Sequence, residues 1–336
     1  MKAPGPAGWS RWALVMTACL VAWTVERPLA AAPAQAESVE RYALVVTGAA
    51  GGSEYATKYQ TWRTRLTRVL RESFEYPENH VKLLGEDLDP GRRPTRENVR
   101  AALADLRKRT GPGDLTLIVL IGHGTSEGGE GKFNLVGPDM TAEEWGGLVK
   151  PIAGRVAFVN ASSGSFPFIP AMAGPDRVVL TANDSSEQQF ETVFPEFFIK
   201  AFESGTGDTD KNGKVSLLEA FTYASAKVKA WFEERGRLAT ERALLDDTGT
   251  GAGRDAETAG RDGQLAQVTY LQPEVPPSLA GDAVLAGLMR QRAEIENRLD
   301  LLRANKGSMP AERYEAELER LLLELARVDR ELRSKT

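Results

Sequence analysis

Short continuous apolar runs alternate along this chain with stretches whose apolar residues recur every three or four positions. Arg41–Val46 (RYALVV) is a strand that ends at Thr47-Gly48. Trp62, Leu66, Val69, Leu70 and Phe74 then fall on one helical face. Val81–Leu84 is a second strand, and Pro94-Thr95 opens a helix carrying Val99, Leu103 and Leu106, with Thr95 as its N-cap. Leu115–Ile121 (LTLIVLI) is apolar at every position but one, as a strand covered on both faces should be. Val156–Val159 and Val178–Thr181 repeat the theme. Strands alternating with helices predict an α/β fold with a doubly wound, mainly parallel sheet flanked by helices. Ligands of such sheets bind beyond the carboxyl ends of the strands, so the loops after Val46, Ile121, Val159 and Thr181 are the ones to inspect.

The pattern changes further on. Residues 246–264 are rich in Gly and Asp and read as an exposed loop, in which Asp246 and Asp247 offer a weaker second cation site. Gln267–Leu271 reads as a last edge strand, and residues 273–281, opening with PEVPP, as a linker. Beyond it, Leu288, Ile295, Leu299 and Leu302 line one helix. Tyr314, Leu318, Leu321, Leu325, Val328 and Leu332 line another with coiled-coil spacing. Residues 282–336 are therefore expected to form a coiled-coil helical hairpin. It either packs on the body or serves self-association or a partner.

Residues 1–36 read as a secretory signal. Lys2 and Arg11 are its basic start, Trp12–Val25 its apolar stretch, and Ala34-Gln35-Ala36 its cleavage site. An uncleaved membrane anchor and a lipid on Cys19 are the alternatives. Cleavage would leave about 300 residues with a net charge of about −7, against −5 for the whole chain. It would also remove the single cysteine, leaving no thiol. The acidic balance argues against nucleic acid as a partner. The expected location is outside the cytoplasm, secreted or periplasmic, with no membrane attachment after cleavage. The mature domain then spans 37–272.

One segment carries a specific chemical pattern. Asp208, Asp210, Asn212, Ser216 and Glu219 stand at positions 1, 3, 5, 9 and 12 of an EF-hand loop. Gly213 is at position 6, where the chain must turn sharply, and Lys214 offers only its carbonyl. A hard cation needs six to eight oxygens, and this run offers them within twelve residues. Ca2+ is the expected ion, in the role of a structural staple.

Two further motifs close consecutive apolar runs: Gly122-His123-Gly124 after Ile121, and Asn160-Ala161-Ser162-Ser163-Gly164-Ser165 after Val159. With Ala43–Gly52 (ALVVTGAAGG) and Thr181-Ala182-Asn183, these make residues 41–271 resemble the caspase-like peptidases, legumain above all, in a secreted bacterial branch. The resemblance implies a His/Cys dyad at positions 123 and 162. Here the second position is Ser162, and the turn expected to hold an asparagine that orients the histidine reads Ala49-Ala50. A thiol beside an imidazole ionises readily, whereas a serine hydroxyl needs a strong, oriented base.

Three readings follow. The first is a peptidase-like scaffold, calcium-stapled and catalytically impaired, that binds a peptide or partner in its strand-end cleft. The second is an active hydrolase. Ser162 is its nucleophile and His123 its base, the amides near Gly124 and Ser162 form an oxyanion hole, and Asp184, Glu187 or Glu191 orients the histidine. The third is a structural envelope module that assembles through its calcium loop and hairpin. Lys58 and Arg63 lie where the resemblance would place specificity groups. His80, the only other histidine, reads as a surface residue.

Overall fold

The computed structural model describes residues 39–185, 188, 190–203, 205–258, 263–274 and 282–335. The expected signal at 1–36, most of the expected linker and Glu187 lie outside the described residues. Within them, five strands form a parallel sheet: β1 (Arg41–Thr47), β2 (Val81–Leu84), β3 (Leu115–Ile121), β7 (Arg155–Asn160) and β8 (Arg177–Thr181). A sixth strand, β9 (Leu244–Asp246), adds to β8 in the antiparallel sense and completes the order β2-β1-β3-β7-β8-β9. β3 pairs with β1 and β7 in the middle of the sheet and is buried along its whole length, which is why its sequence shows no alternation.

Helices cover both faces. On one side, Val45, Leu117, Val119, Val159 and Leu180 pack beneath α1 (Ser53–Arg68), α5 (Phe194–Glu203) and α6 (Leu217–Glu233). On the other, Leu44, Ile118, Leu120, Phe158 and Val179 pack beneath α2 (Arg96–Arg109), α3 (Ala142–Val149) and α4 (Phe168–Met172). The alternation along each strand sends successive side chains to opposite cores. Thr95 caps α2 through its side chain, as expected, accepting the Asn98 N–H. The helical face from Trp62 to Phe74 is α1 continued by a π turn over Val69–Ser73.

Two features depart from the sequence expectation. The edge strand is β9, leading into the Gly/Asp-rich region, and not Gln267–Leu271. The latter segment begins in the short helix α7 (Gln264–Gln267) and makes only a single antiparallel bridge, Tyr270 to Ser216. Asp246 and Asp247, the weaker cation candidates, are spent on backbone N–H groups. Asp246 accepts those of Thr248, Gly249 and Gly251, and Asp247 those of Gly263 and Ala266. The stretch between β3 and α3 also holds a separate antiparallel sheet: β4 (Gly124–Glu127), β5 (Glu130–Phe133) and β6 (Met140–Thr141).

At the C-terminus, α8 (Ala283–Ala304) and α9 (Ala311–Lys335) pack along Leu288, Ile295, Leu299, Leu302, Leu321 and Val328. Arg292 pairs with Asp329, and Arg298 with Glu324, so the two helices run in opposite directions. No helix among the described residues is long and apolar enough to cross a membrane.

Phe158 is almost fully buried, stacked on Phe168 and edge-on to Trp145. Replacing it with Ala should cost about 3–5 kcal/mol of unfolding free energy, read from urea denaturation midpoints. A cost near zero would mean that this face is not a packed core.

Candidate functional site

The carboxyl ends of β3 and β7 place the two singled-out motifs side by side. β3 runs into Gly122-His123-Gly124, and β7 into Ala161 to Ser165. The loops are stitched together by serine hydroxyls. Gly124 donates its N–H to Ser163 Oγ at 3.1 Å, and Ser163 Oγ donates back to the Gly124 carbonyl at 3.0 Å. The Ser162 N–H goes to Asn160 Oδ1 at 3.1 Å. Ser162 Oγ lies 2.6 Å from the same oxygen and 3.1 Å from the Ser163 carbonyl, so its one proton is given to one of these two acceptors. Ser165 Oγ donates to Asn183 Oδ1 and accepts the N–H groups of Ala182 and Asn183, tying the β7 loop to the β8 loop. Asn160, Ser162, Ser165 and Asn183 are 0% exposed. The approach is close: a methyl on Gly124 would collide with the Ser163 and Lys132 carbonyl oxygens and lie 3.0 Å from Ser162 Oγ.

His123 faces the other way. Its Nε2 is 3.1 Å from the Tyr59 hydroxyl, and its ring meets Tyr55 and Tyr59 edge-on at 4.6 and 5.6 Å between centroids. No hydrogen bond joins His123 to Ser162. Burial holds the imidazole below its ordinary value of 6.5. Glu191 and a backbone contact with Ala50 favour the charged form, and Lys58 opposes it. Tyr59 itself is pushed up, chiefly by burial.

The three carboxylates considered as orienters are used elsewhere or lie outside the described residues. Glu191 pairs with Lys58 at 2.7 Å, Asp184 accepts from Gln188, and Glu187 is not described. The partner His123 does have, Tyr59, went unread in the sequence. Its signal was there: Tyr55 and Tyr59 stand four apart on α1, one face of a helix that begins just after the β1 loop.

The basic candidates are also paired. Arg63, 4% exposed, donates to Thr47 Oγ1 at 2.9 Å and to Asp87 at 2.6 Å, and that bond holds the Asp87 carboxyl below the usual range. Lys58 lies over the Trp62 ring as well as on Glu191. Nearby, buried Glu241 accepts the N–H groups of Val193 and Phe194 at the start of α5, and desolvation pushes its carboxyl up to about 7. His80, expected at the surface, is half-buried. It stacks on Tyr42 and bonds the Arg41 carbonyl.

Comparison with protein-family models and with curated proteins gives no match. Among solved structures, a protein of Geobacter sulfurreducens aligns at 14% identity over 62% of this chain and 92% of its own, with a TM-score of 0.41. The Drosophila initiator caspase Dronc aligns at 12% identity over 63% of this chain and 81% of its own, also with a TM-score of 0.41. The site is therefore read from its own geometry.

The second cluster is loop 208–219. Carboxylate oxygens of Asp208, Asp210 and Glu219 lie within 4.8 Å of one another. Asp208 accepts the N–H groups of Asn212 and Gly213, which curl the chain around it, and Gly213 takes φ +86°, a left-handed turn that suits glycine. Ser216 caps α6 and Glu219 completes the reciprocal pair. The other Glu219 oxygen accepts from Thr209. Asn212 Oδ1 is taken by the Lys214 N–H. The loop thus gathers the carboxylates expected of it at positions 1, 3 and 12.

A depressed imidazole and a raised carboxyl act on stability in opposite directions. Between pH 6.5 and the lower folded value of His123, the unfolded chain binds the proton first, so this contribution is complete above pH 6.5 and is lost as the pH falls. Glu241 holds its proton in the folded state up to about 7, so its contribution is complete below pH 4.5 and is lost as the pH rises to about 7. NMR titration should place the His123 midpoint below 6.5 and that of Glu241 near neutrality. A His123 midpoint above 6.5 would contradict the buried, neutral imidazole.

Proposed function

We propose that this chain is an exported, peptidase-like scaffold that binds a peptide or protein segment at the ends of its strands without cleaving it. One observation supports the absence of cleavage: the groups a hydrolase would need are already bonded to other partners. Attack requires a hydroxyl aimed at a base, and an oxyanion hole requires free N–H donors. The Ser162 hydroxyl is committed to Asn160 or the Ser163 carbonyl. The amide of Gly124 is committed to Ser163, and that of Ser162 to Asn160. His123, its imidazole held below 6.5 and bonded to a phenol, has no hydrogen bond to a carboxylate among the described residues. The resemblance to caspase-like peptidases supplies the peptide as ligand, and the strand ends supply the place.

The test is direct. A fluorophosphonate probe should leave the mature protein unlabelled, and peptide-library turnover should match that of Ser162→Ala. Peptides should still bind, and His123→Ala or Tyr59→Ala should weaken them. Labelling at Ser162 with turnover lost in Ser162→Ala would establish the hydrolase instead.

We further propose that loop 208–219 binds Ca2+ as a staple. The donors fit a hard cation: three carboxylates, a glycine at the tight turn and carbonyl oxygens between them. The cation would offset the mutual repulsion of Asp208, Asp210 and Glu219. Millimolar Ca2+ should raise the melting temperature by several degrees, corresponding to about 1–3 kcal/mol. Glu219→Gln should abolish that rise. A wild-type melt unchanged by Ca2+ would remove the ion.

A further inference from the structure

The C-terminal helix pair reaches the cation loop through one tyrosine. Tyr270 sits in the segment after α7 and forms the antiparallel bridge to Ser216, while Leu217 donates its N–H to the Thr269 carbonyl. The Tyr270 hydroxyl accepts from Asn212 Nδ2 of the loop at 3.3 Å and donates to Asp300 Oδ2 of α8 at 2.9 Å. Lys214 of the loop lies over the Tyr270 ring. Asp300 is 3% exposed, and its carboxylate repels Asp210 and Glu219 across this short path. A cavity of about 210 Å³ lies between loop and tyrosine, lined by Asp210, Ser216, Glu219, Gln267 and Tyr270 among others. Gln267 also donates to the Asp300 carbonyl and Gln264 to Asn305, so α7 clasps the end of α8.

We propose that the cation loop and the C-terminal helix pair are one linked unit, in which Asp300, acting through Tyr270, is an outer carboxylate that makes cation binding and docking of α8 reinforce each other. The proposal rests on the reading of loop 208–219 as a cation site. Two things carry it beyond that reading: a nearly buried carboxylate from a distant part of the chain, and the hydroxyl that joins it to a loop residue. Without a cation, Asp300 is offset by Arg303 at 3.3 Å, but Asp210 and Glu219 still add to the negative charge around it. With one, the same carboxylate attracts the loop's new positive charge. By linkage, whatever factor the docked helix adds to cation affinity, the cation adds to docking.

The experiment uses the whole mature chain, stripped with a chelator and titrated with Ca2+ by calorimetry. Hydrogen exchange of peptides from 283–304 is followed in parallel. In the wild type, Ca2+ should bind and slow exchange around Asp300 by about fivefold or more. In Tyr270→Phe, Ca2+ should still bind, but exchange in α8 should no longer respond. Asp300→Asn, which leaves the tyrosine in place, should weaken Ca2+ by about three- to tenfold and shrink the response by the same factor. Binding with unchanged exchange in α8 would overturn the linkage and leave the cation site standing. An absence of binding in the calorimeter would overturn both.

Discussion

A buried backbone N–H must find an acceptor, and at the carboxyl ends of this sheet that requirement decides the chemistry. A donor left buried and unpaired costs about 1–3 kcal/mol. Here the acceptors are short side chains: Asn160 takes an amide of its own loop, and Ser163, Ser165 and Asn183 take amides of the neighbouring loops. Each such bond fixes a loop and removes a donor that substrate would otherwise meet. Local stability and the capacity to stabilise an oxyanion draw on the same few groups.

Oxygen at position 162 fits this arrangement. A serine hydroxyl is a good hydrogen-bond donor and a poor nucleophile at neutral pH, so it settles on Asn160 or the Ser163 carbonyl. A thiol there would be a weak donor and would leave Asn160 Oδ1 with less to accept. Tyr59, in turn, occupies Nε2 of His123. The histidine is held in place by aromatic packing from α1, and its depressed basicity follows from that burial.

Much of the fold was legible because β1, β3, β7 and β8 are apolar on both faces, a signal that does not depend on tertiary context. β9 was not: three residues just before a Gly- and Asp-rich stretch carry too little pattern, and their pairing with β8 is a long-range choice. Gln267–Leu271 was misread because a single bridge to Ser216 requires an extended residue, not a strand. The small sheet β4-β5-β6 was missed because Gly, Ser and Glu dominate its strands. At the site, the positions of His123 and Ser162 could be read from the strand ends, but the bonds they make could not. Those depend on rotamers of Asn160, Ser163 and Tyr59, which no spacing rule fixes. The clustering of Asp208, Asp210 and Glu219 follows from a turn encoded within twelve consecutive residues.

The two outermost strands, β2 and β9, are four and three residues long. A margin of that brevity offers a foreign chain only one or two ladder rungs, too few to repay the entropy of lining up alongside it. On β9, Leu245 already donates its N–H to the Arg254 carbonyl and accepts the Arg254 N–H. Growth by lateral stacking is therefore opposed at both borders by shortness, and at β9 by that bridge as well, so the apolar interior strands can be as sticky as their packing demands without making the molecule prone to clump.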